Sequence, residues 1–252
     1  MKKVTGRFVY NWIYAIMIIL CMFSIVFTPQ LEIILKLKPK YYRSNSTEIH
    51  FIDVGQGDAI VVRFSNNEIM LVDTGTSNYL HKLTYYLDNV LETNKIDYFV
   101  LTHTDDDHSS NVISLVDKYQ IGTFYRPNIY EVYEGKSPFI DNEHYRRILK
   151  TLDAKSINVK FNTEDESLNI NGVTVDWLCP IDNIGIANNS TNEQSCILVI
   201  EDNNNKAMLT GDISQKIETY LINNYEKDVL ESVAPPRFNR SNFCTKFIIG
   251  NP

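Results

Sequence analysis

The stretch Leu101-Thr-His-Thr-Asp-Asp-Asp-His108 decides how this chain is read. A run of strand-forming apolar residues, Tyr98-Phe-Val-Leu101, ends directly in two histidines that bracket three aspartates. Five side chains able to ligate a metal fall within six positions, and their carboxylates repel one another unless a cation lies among them. Alternate residues of an extended segment point the same way, so His103, Asp105 and Asp107 are expected on one side, with His108 joining as the chain bends. A solvated acidic loop or a calcium site is the plainer reading. Calcium, however, takes oxygen ligands, and imidazoles closing both ends of the cluster favour a transition-metal site.

Outward from that stretch, short β-branched runs are separated by turn residues, the pattern of strands. Ile49–Val54, Ala59–Phe64 and Glu68–Val72 read as strands, punctuated by "GQGD" and "SNNE". Tyr79–Leu91 has helical spacing, with Leu80, Leu83, Leu87, Val90 and Leu91 on one face. Asp97–Thr102 is a buried type of strand. Asn111–Lys118, Asp141–Leu152 and Ser214–Asn224 read as helices. Ile121–Tyr125, Ile157–Phe161, Leu168–Ile170, Val173–Leu178, Cys196–Ile200 and Ala207–Thr210 read as strands, and Val229–Leu230 as the start of another. Asn171–Gly172 is a hairpin signal. Strands in two blocks, each followed by helices, predict two packed sheets with helices outside, an α+β fold.

The N-terminus is different in kind. Phe8–Phe27 is 20 residues without a charge, long enough as a helix to span about 30 Å of hydrocarbon. The run exceeds the apolar core of a signal peptide and no A-x-A site follows it. A lipobox at Cys21 is disfavoured because Leu20 stands where a small residue belongs. Lys2, Lys3 and Arg7 precede the run, which favours an inside N-terminus and an extracytoplasmic catalytic domain, although Lys36, Lys38, Lys40 and Arg43 follow it. The organisation expected is a short basic N-terminus at 1–7, a transmembrane helix at 8–27, a juxtamembrane linker at 28–47, a domain at 48–234 and a tail at 235–252. The protein would be a single-pass protein of the cell membrane.

Charge and cysteine usage narrow the possibilities. The net charge is −7, but residues 1–43 hold seven Lys/Arg against Glu32, so the other 209 residues carry 17 basic and 30 acidic side chains. A domain so acidic does not attract a polyanion through its overall field; a local patch or a metal must hold one. Cys21, Cys179, Cys196 and Cys244 form no CxxC pair, which points to neither a disulfide framework nor a thiolate zinc site.

Several blocks together resemble one family. The segment His103–His108 is similar to the HxHxDH motif of metallo-β-lactamase superfamily hydrolases, with Asp105 in place of the middle histidine, as in the catalytic domain of ComEC-type competence proteins. "FIDVGQGDAIVV" (Phe51–Val62), "IMLVDTG" (Ile69–Gly75), "NEQSCILVI" (Asn192–Ile200) and "MLTGDIS" (Met208–Ser214) resemble further blocks of that group, in order and spacing. The resemblance covers roughly Ile49 to Leu230. It implies a four-layer αββα sandwich and two divalent metal ions, zinc first and manganese also admitted by the oxygen-rich ligand set. His103 and Asp105 would hold one ion, Asp107 and His108 the other, and Asp212 would bridge them. Asp107 and Asp212 would be catalytic. Asp58, Asp73, Asn192 and Ser195 would support ligands or position substrate. His50, His81 and His144 are expected to be ordinary.

The implied function is metal-dependent hydrolysis of a phosphodiester, in DNA or a nucleotide, linked to DNA uptake. The alternatives are a non-catalytic, membrane-tethered binding domain and a hydrolase of a small envelope ester or amide. No protein partner is implied. Two departures from the family pattern stand out. Ser110 and Asn111 replace two glycines usual after the metal motif. A late His-His-Gly-Ser block is missing, and "APPRF" (Ala234–Phe238) stands there instead. One inserted C turns GCA-CAC-CAC-GGT-TCA into codons for Ala-Pro-Pro-Arg-Phe, so the tail from Pro235 reads as either frameshifted or divergent. On this reading the domain is incomplete at its C-terminus, the second sheet is left with an open edge, and the chain is weakly active or inactive.

Overall fold

The computed structural model describes residues 14–18, 20–22, 45–127, 143–162, 167–178, 191–203, 205–225 and 247–250. The chain divides into two compact units, residues 1–42 and 43–252. In the first, residues 14–18 and 20–22 are helical, and Tyr14, Ile16, Met17, Ile18, Leu20 and Met22 are each more than half exposed. Among the described residues no helix is long and apolar enough to cross a membrane. The expected span at 8–27 lies largely outside them.

The second unit is built on two sheets. The first contains β1 (Glu48–Phe51), β2 (Ile60–Arg63), β3 (Ile69–Val72), β4 (Lys95–Val100), β5 (Gln120–Pro127) and β6 (Asn158–Asn162), in that spatial order. Its first three strands pair antiparallel and the rest parallel. Strands β2 and β3 are buried at every position, which is why they read as continuous apolar runs rather than alternating ones. At the edge, β6 exposes Asn158, Val159 and Lys160, with Lys160 discouraging further pairing.

The second sheet is antiparallel throughout: β11 (Phe247–Gly250), β10 (Asn205–Leu209), β9 (Ile197–Asp202), β8 (Val173–Leu178) and β7 (Leu168–Ile170). Asn171 and Gly172, at φ 50° and 89°, make the tight turn between β7 and β8 that the sequence signals. The expectation of an open edge beside β10 is corrected. Lys206–Leu209 pair with Gly250–Phe247, the apolar, β-branched run "FIIG" supplying the strand. Across the sheets Tyr125 stacks on Trp177 with ring centroids 5.2 Å apart.

Helices cover both sheets' connections. α1 (Leu80–Tyr85) continues a 3-10 turn at Ser77–Tyr79 and runs on as a π-turn at Tyr86–Val90, so the helical segment expected at Tyr79–Leu91 is present in three geometries. It is followed by α2 (Asp106–Ser109), α3 (Val112–Lys118), α4 (Glu143–Ala154) and α5 (Gln215–Asn224). α5 places Ile217 and Leu221 against Leu178, Ile197, Val199 and Met208 of the second sheet. Cys196 is buried and disulfide-bonded, which its spacing from the other cysteines did not signal. Val229–Leu230 and the segment 226–246 lie outside the described residues.

The parallel half of the first sheet positions the site. Val72, Val100 and Tyr125 lie level across β3, β4 and β5. The backbone continues that level, with Asp73 N–H donating to Val100 O and Leu101 N–H to Tyr125 O, both at 2.9 Å. β3 and β4 therefore end together beside Tyr125 of β5, and the loops leaving their carboxyl ends lie where parallel sheets usually bind ligands.

Candidate metal centre

Asp73, the first residue after β3, has φ 56°, a left-handed conformation that costs a non-glycine residue free energy. That geometry aims its buried carboxylate under β4. Oδ1 accepts the Thr102 N–H at 2.8 Å; Oδ2 accepts the Thr102 hydroxyl at 2.6 Å and the His108 Nδ1–H at 2.8 Å. A carboxylate only accepts, so His108 carries a proton on Nδ1, which leaves Nε2 as the nitrogen that a metal ion would take. Thr102 has donated its hydroxyl proton to Asp73, so its oxygen accepts from His103 Nδ1, 3.0 Å away. His103 Nε2 is thereby left as a bare acceptor. One carboxylate, directly and through one hydroxyl, sets the tautomer of both rings, whose centroids are 4.1 Å apart.

Both freed atoms are orphans. His103 and His108 are at most 1% exposed, and neither Nε2 has a hydrogen-bond partner. A buried ring nitrogen without a hydrogen-bond partner is costly unless a cation, whether a proton or a metal ion, occupies the space it faces. His103 Nε2 lies 3.7 Å from Asp105 Oδ2, and His108 Nε2 lies 3.5 Å from Asp212 Oδ2. Two atoms about 2.1 Å from one tetrahedral ion stand about 3.4 Å apart, so both distances suit a shared cation. The donor set of imidazole and carboxylate fits a divalent ion. Asp58, His108 and Asp212 each offer a ligand atom within 4.8 Å of the others. Asp73, His103 and His108 meet the same geometric condition, but Asp73 is already saturated by three donors and acts as the orienter.

The electrostatics follow from this packing. Burial alone would lower the His108 imidazole, but Asp73 and Asp212 outweigh it and push it up to about 11, so without an ion Nε2 also holds a proton, toward Asp212, which a bound cation would displace. Burial, and then the neighbouring His108, hold His103 below its ordinary range, in the neutral form that ligates. The His108 ring keeps Asp212 below the usual carboxylate range. Burial, then the Asp73 carboxylate, raise Asp58 to about 7.

The loop does not stay extended as the sequence reading expects. Asp105 caps a short helix: its carbonyl accepts the N–H groups of His108 and Ser109, and Asp106–Ser109 coil into α2. Asp107 therefore sits on a helical turn, and its Oδ2 accepts the Gln56 side-chain amide at 3.0 Å. Ser195 is fully buried and its hydroxyl has no partner; a Cβ on Gly211 would lie 3.2 Å from it and 3.1 Å from the Thr102 hydroxyl. Gly211, at φ 53°, lets the turn bearing Asp212 approach that closely. Asn192 is half-buried and its carbonyl accepts the Ser195 N–H at 3.1 Å. Of the other histidines, His50 bonds Tyr86, His81 stacks on Tyr79, and His144 Nε2 reaches the Ser109 carbonyl at 3.2 Å.

Two contributors escaped the sequence reading. Thr102 looks like one more β-branched strand residue; its place just before His103 is the only hint. Asn111 is buried and donates its amide to the carbonyls of Thr74, Gly75 and Thr76 at 2.8, 3.2 and 3.0 Å, fastening the turn after Asp73 to the metal loop. A pocket of about 150 Å³ opens beside the cluster, lined by residues that include Gly55, Gly57, Asp58 and Asp212.

The chain is 26% identical to Recombination protein 2 of Haemophilus influenzae over 221 residues, which are 85% of this chain and 23% of that protein. It therefore spans about a quarter of that relative's length. Among solved structures, a Thermotoga maritima protein assigned to the metallo-beta-lactamases superposes with a TM-score of 0.48 at 14% identity, covering 71% of this chain and 91% of that one. The metallo-beta-lactamase fold protein YhfI of Bacillus subtilis gives 0.39 at 15% identity, over 69% and 58%. Residues 52–178 match the family Lactamase_B, and the chain belongs to the metallo-beta-lactamase superfamily.

Proposed function

We propose that this protein is a metal-dependent hydrolase of phosphodiesters, of the ComEC type, acting on DNA or a nucleotide and tethered to the cell membrane by residues 8–27 with its catalytic domain outside the cytoplasm. The observation that carries the reading is the pair of buried, partnerless Nε2 atoms of His103 and His108, each facing a carboxylate. His103 and Asp105 would hold one ion and His108 and Asp212 the other, zinc by preference and manganese as an alternative. Divalent ions supply activation of water and neutralisation of charge on a phosphoryl group. The chain itself contributes the orientation of both rings through Asp73 and Thr102, an ionised Asp212 between the positions, and Asp107, clasped by Gln56 at the mouth. Asn192 and Ser195 would brace the Asp212 turn, and the helices would form the outer layers of a four-layer sandwich.

Two observations support the substrate class. The matched relative is named for recombination. The pocket beside the ligands also shares Phe51, Ile52 and Asp53 with a groove lined by His81, Lys82, Tyr85 and Tyr86, where exposed aromatic faces stand beside a cation. Such a surface can stack a base and meet a phosphate without needing a basic field overall. A non-catalytic, membrane-tethered binding domain is the second reading, favoured by the confinement of all five histidines to the first 144 residues.

The test is metal analysis of the purified chain together with hydrolysis of bis(p-nitrophenyl) phosphate. Two ions per chain and a rate abolished by His108→Ala are expected. A chain that retains no divalent ion and hydrolyses no faster than that variant removes the catalytic reading.

A further inference from the structure

We infer that Asp58 is a direct ligand of the ion at the His108–Asp212 position, brought there by the glycine-bracketed loop between β1 and β2. The inference rests on the metal-centre reading above and adds a ligand that the metal motif does not contain.

Asp58 and Asp73 are both buried aspartates beside His108, and their surroundings are opposite. Asp73 accepts three hydrogen bonds. Asp58 is 9% exposed, makes no side-chain hydrogen bond among the described residues, and its Oδ2 is buried without a partner. A buried carboxylate oxygen with no donor, beside a second carboxylate on Asp212, must take up a proton or a cation, and a divalent ion shared with His108 and Asp212 meets that need. An orienting role is ruled out by the same fact, because Asp58 holds no ring N–H and no hydroxyl. What remains on the page is its distance: its oxygen lies within 4.8 Å of the ligand atoms of both His108 and Asp212.

The loop is constructed to hold it there. Ile52 N–H donates to Ala59 O at 3.0 Å, closing the loop, and Gly75 N–H donates to Asp58 O at 2.7 Å. Gly57 has φ 77°, and a Cβ there would lie 1.8 Å from the Asp107 carbonyl oxygen, so the loop is in backbone contact with α2. Gln56 then reaches over to the Asp107 carboxylate. The "GQGD" segment thus has a fixed seat on the helix that carries His108. A position made of one imidazole and two carboxylates is harder than a histidine-rich one and accepts manganese as readily as zinc.

The experiment is calorimetric titration of the full-length, metal-stripped protein with Zn²⁺ and separately with Mn²⁺. Wild type should take up two ions. Asp58→Asn should keep one and bind the second more than roughly 100-fold more weakly, beyond the about 10–100-fold that loss of an orienting partner costs. Asp58→His should restore the second Zn²⁺ but not the second Mn²⁺, a pattern that merely disturbed folding does not produce. Circular dichroism of the stripped variants checks that the fold is intact; if Asp58→Asn does not fold, the Zn²⁺/Mn²⁺ split of Asp58→His decides alone. If wild type and Asp58→Asn both take two ions with affinities within about tenfold, below the effect of even an orienting partner, Asp58 is not a ligand while the hydrolase reading stands. If wild type takes none, both fall.

Discussion

The floor and the rim of the metal centre are made of the same residue types and obey different rules. The floor, Asp73, Thr102 and the Nδ1 faces of His103 and His108, is buried and hydrogen-bonded and stands at the ends of paired strands. The rim, Asp58, Asp105, Asp107 and Asp212, is carried on loops and a short helix, and its carboxylates crowd one another. The floor is satisfied by the protein itself. The rim is satisfied only in part, by Gln56 on Asp107 and the two rings beside Asp105 and Asp212, so orientation is built into the fold and affinity waits for the ion.

Mutations should separate the two. Asp73→Ala strikes the floor and should be the most damaging: it strands three donors beneath the rings, costing about 3–5 kcal/mol in denaturant unfolding even without metal. A stripped variant as stable as wild type would erase the distinction. Gly57→Ala strikes the rim through the backbone, forcing a side chain into a left-handed residue pressed on the Asp107 carbonyl. The loss should be about 1–3 kcal/mol, with metal uptake impaired more than folding. Thr102→Val severs only the relay to His103; one ion should bind roughly 10-fold more weakly while the other is unaffected, as read by competition with a chromogenic chelator.

The gentlest probe is pH. The folded-state value of Asp58, about 7 against an ordinary 3.8, means that the folded metal-free protein binds the extra proton and loses stability as pH rises from about 4 to about 7. His108, raised from 6.5 to about 11, contributes stability that is complete below 6.5 and lost as pH climbs through 11. Both slopes have the same sign. Thermal unfolding in chelator should therefore show a midpoint that falls with rising pH, and saturating Zn²⁺ should flatten the fall because ions replace the protons. A midpoint in chelator that rises over that range would contradict this account of the rim.

The sequence named residues of both floor and rim, but not the hydrogen bonds that arrange them. A β-branched run ending in "LTHTDDDH" and another ending in "VDTG" place His103 and Asp73 at strand ends, because strand period and turn chemistry are local properties. The backbone around Asp107 was read as extended, whereas the Asp105 carbonyl caps α2, which starts at the next residue. Thr102 and Asn111 were missed because their roles are hydrogen bonds across 29 and 37 positions of sequence, to Asp73 and Thr74. The strand at Phe247–Gly250 lay in a tail that resembled nothing in the family, yet a short run of β-branched residues was enough to pair.

The clasp formed by Asn111 has a consequence for motion. Its amide spans three successive carbonyls, Asn111 N–H donates to the Thr74 hydroxyl, and Thr74 donates through both its N–H and its hydroxyl to the His108 carbonyl. Segments 73–76 and 102–111 are thereby laced into one cooperative opening unit, so their amides should exchange with solvent deuterium together and slowly. The loop at 53–58 is seated on the same unit, through the Gly75 N–H on the Asp58 carbonyl and Gly57 on the Asp107 backbone, so its amides at the seat should share that slow exchange.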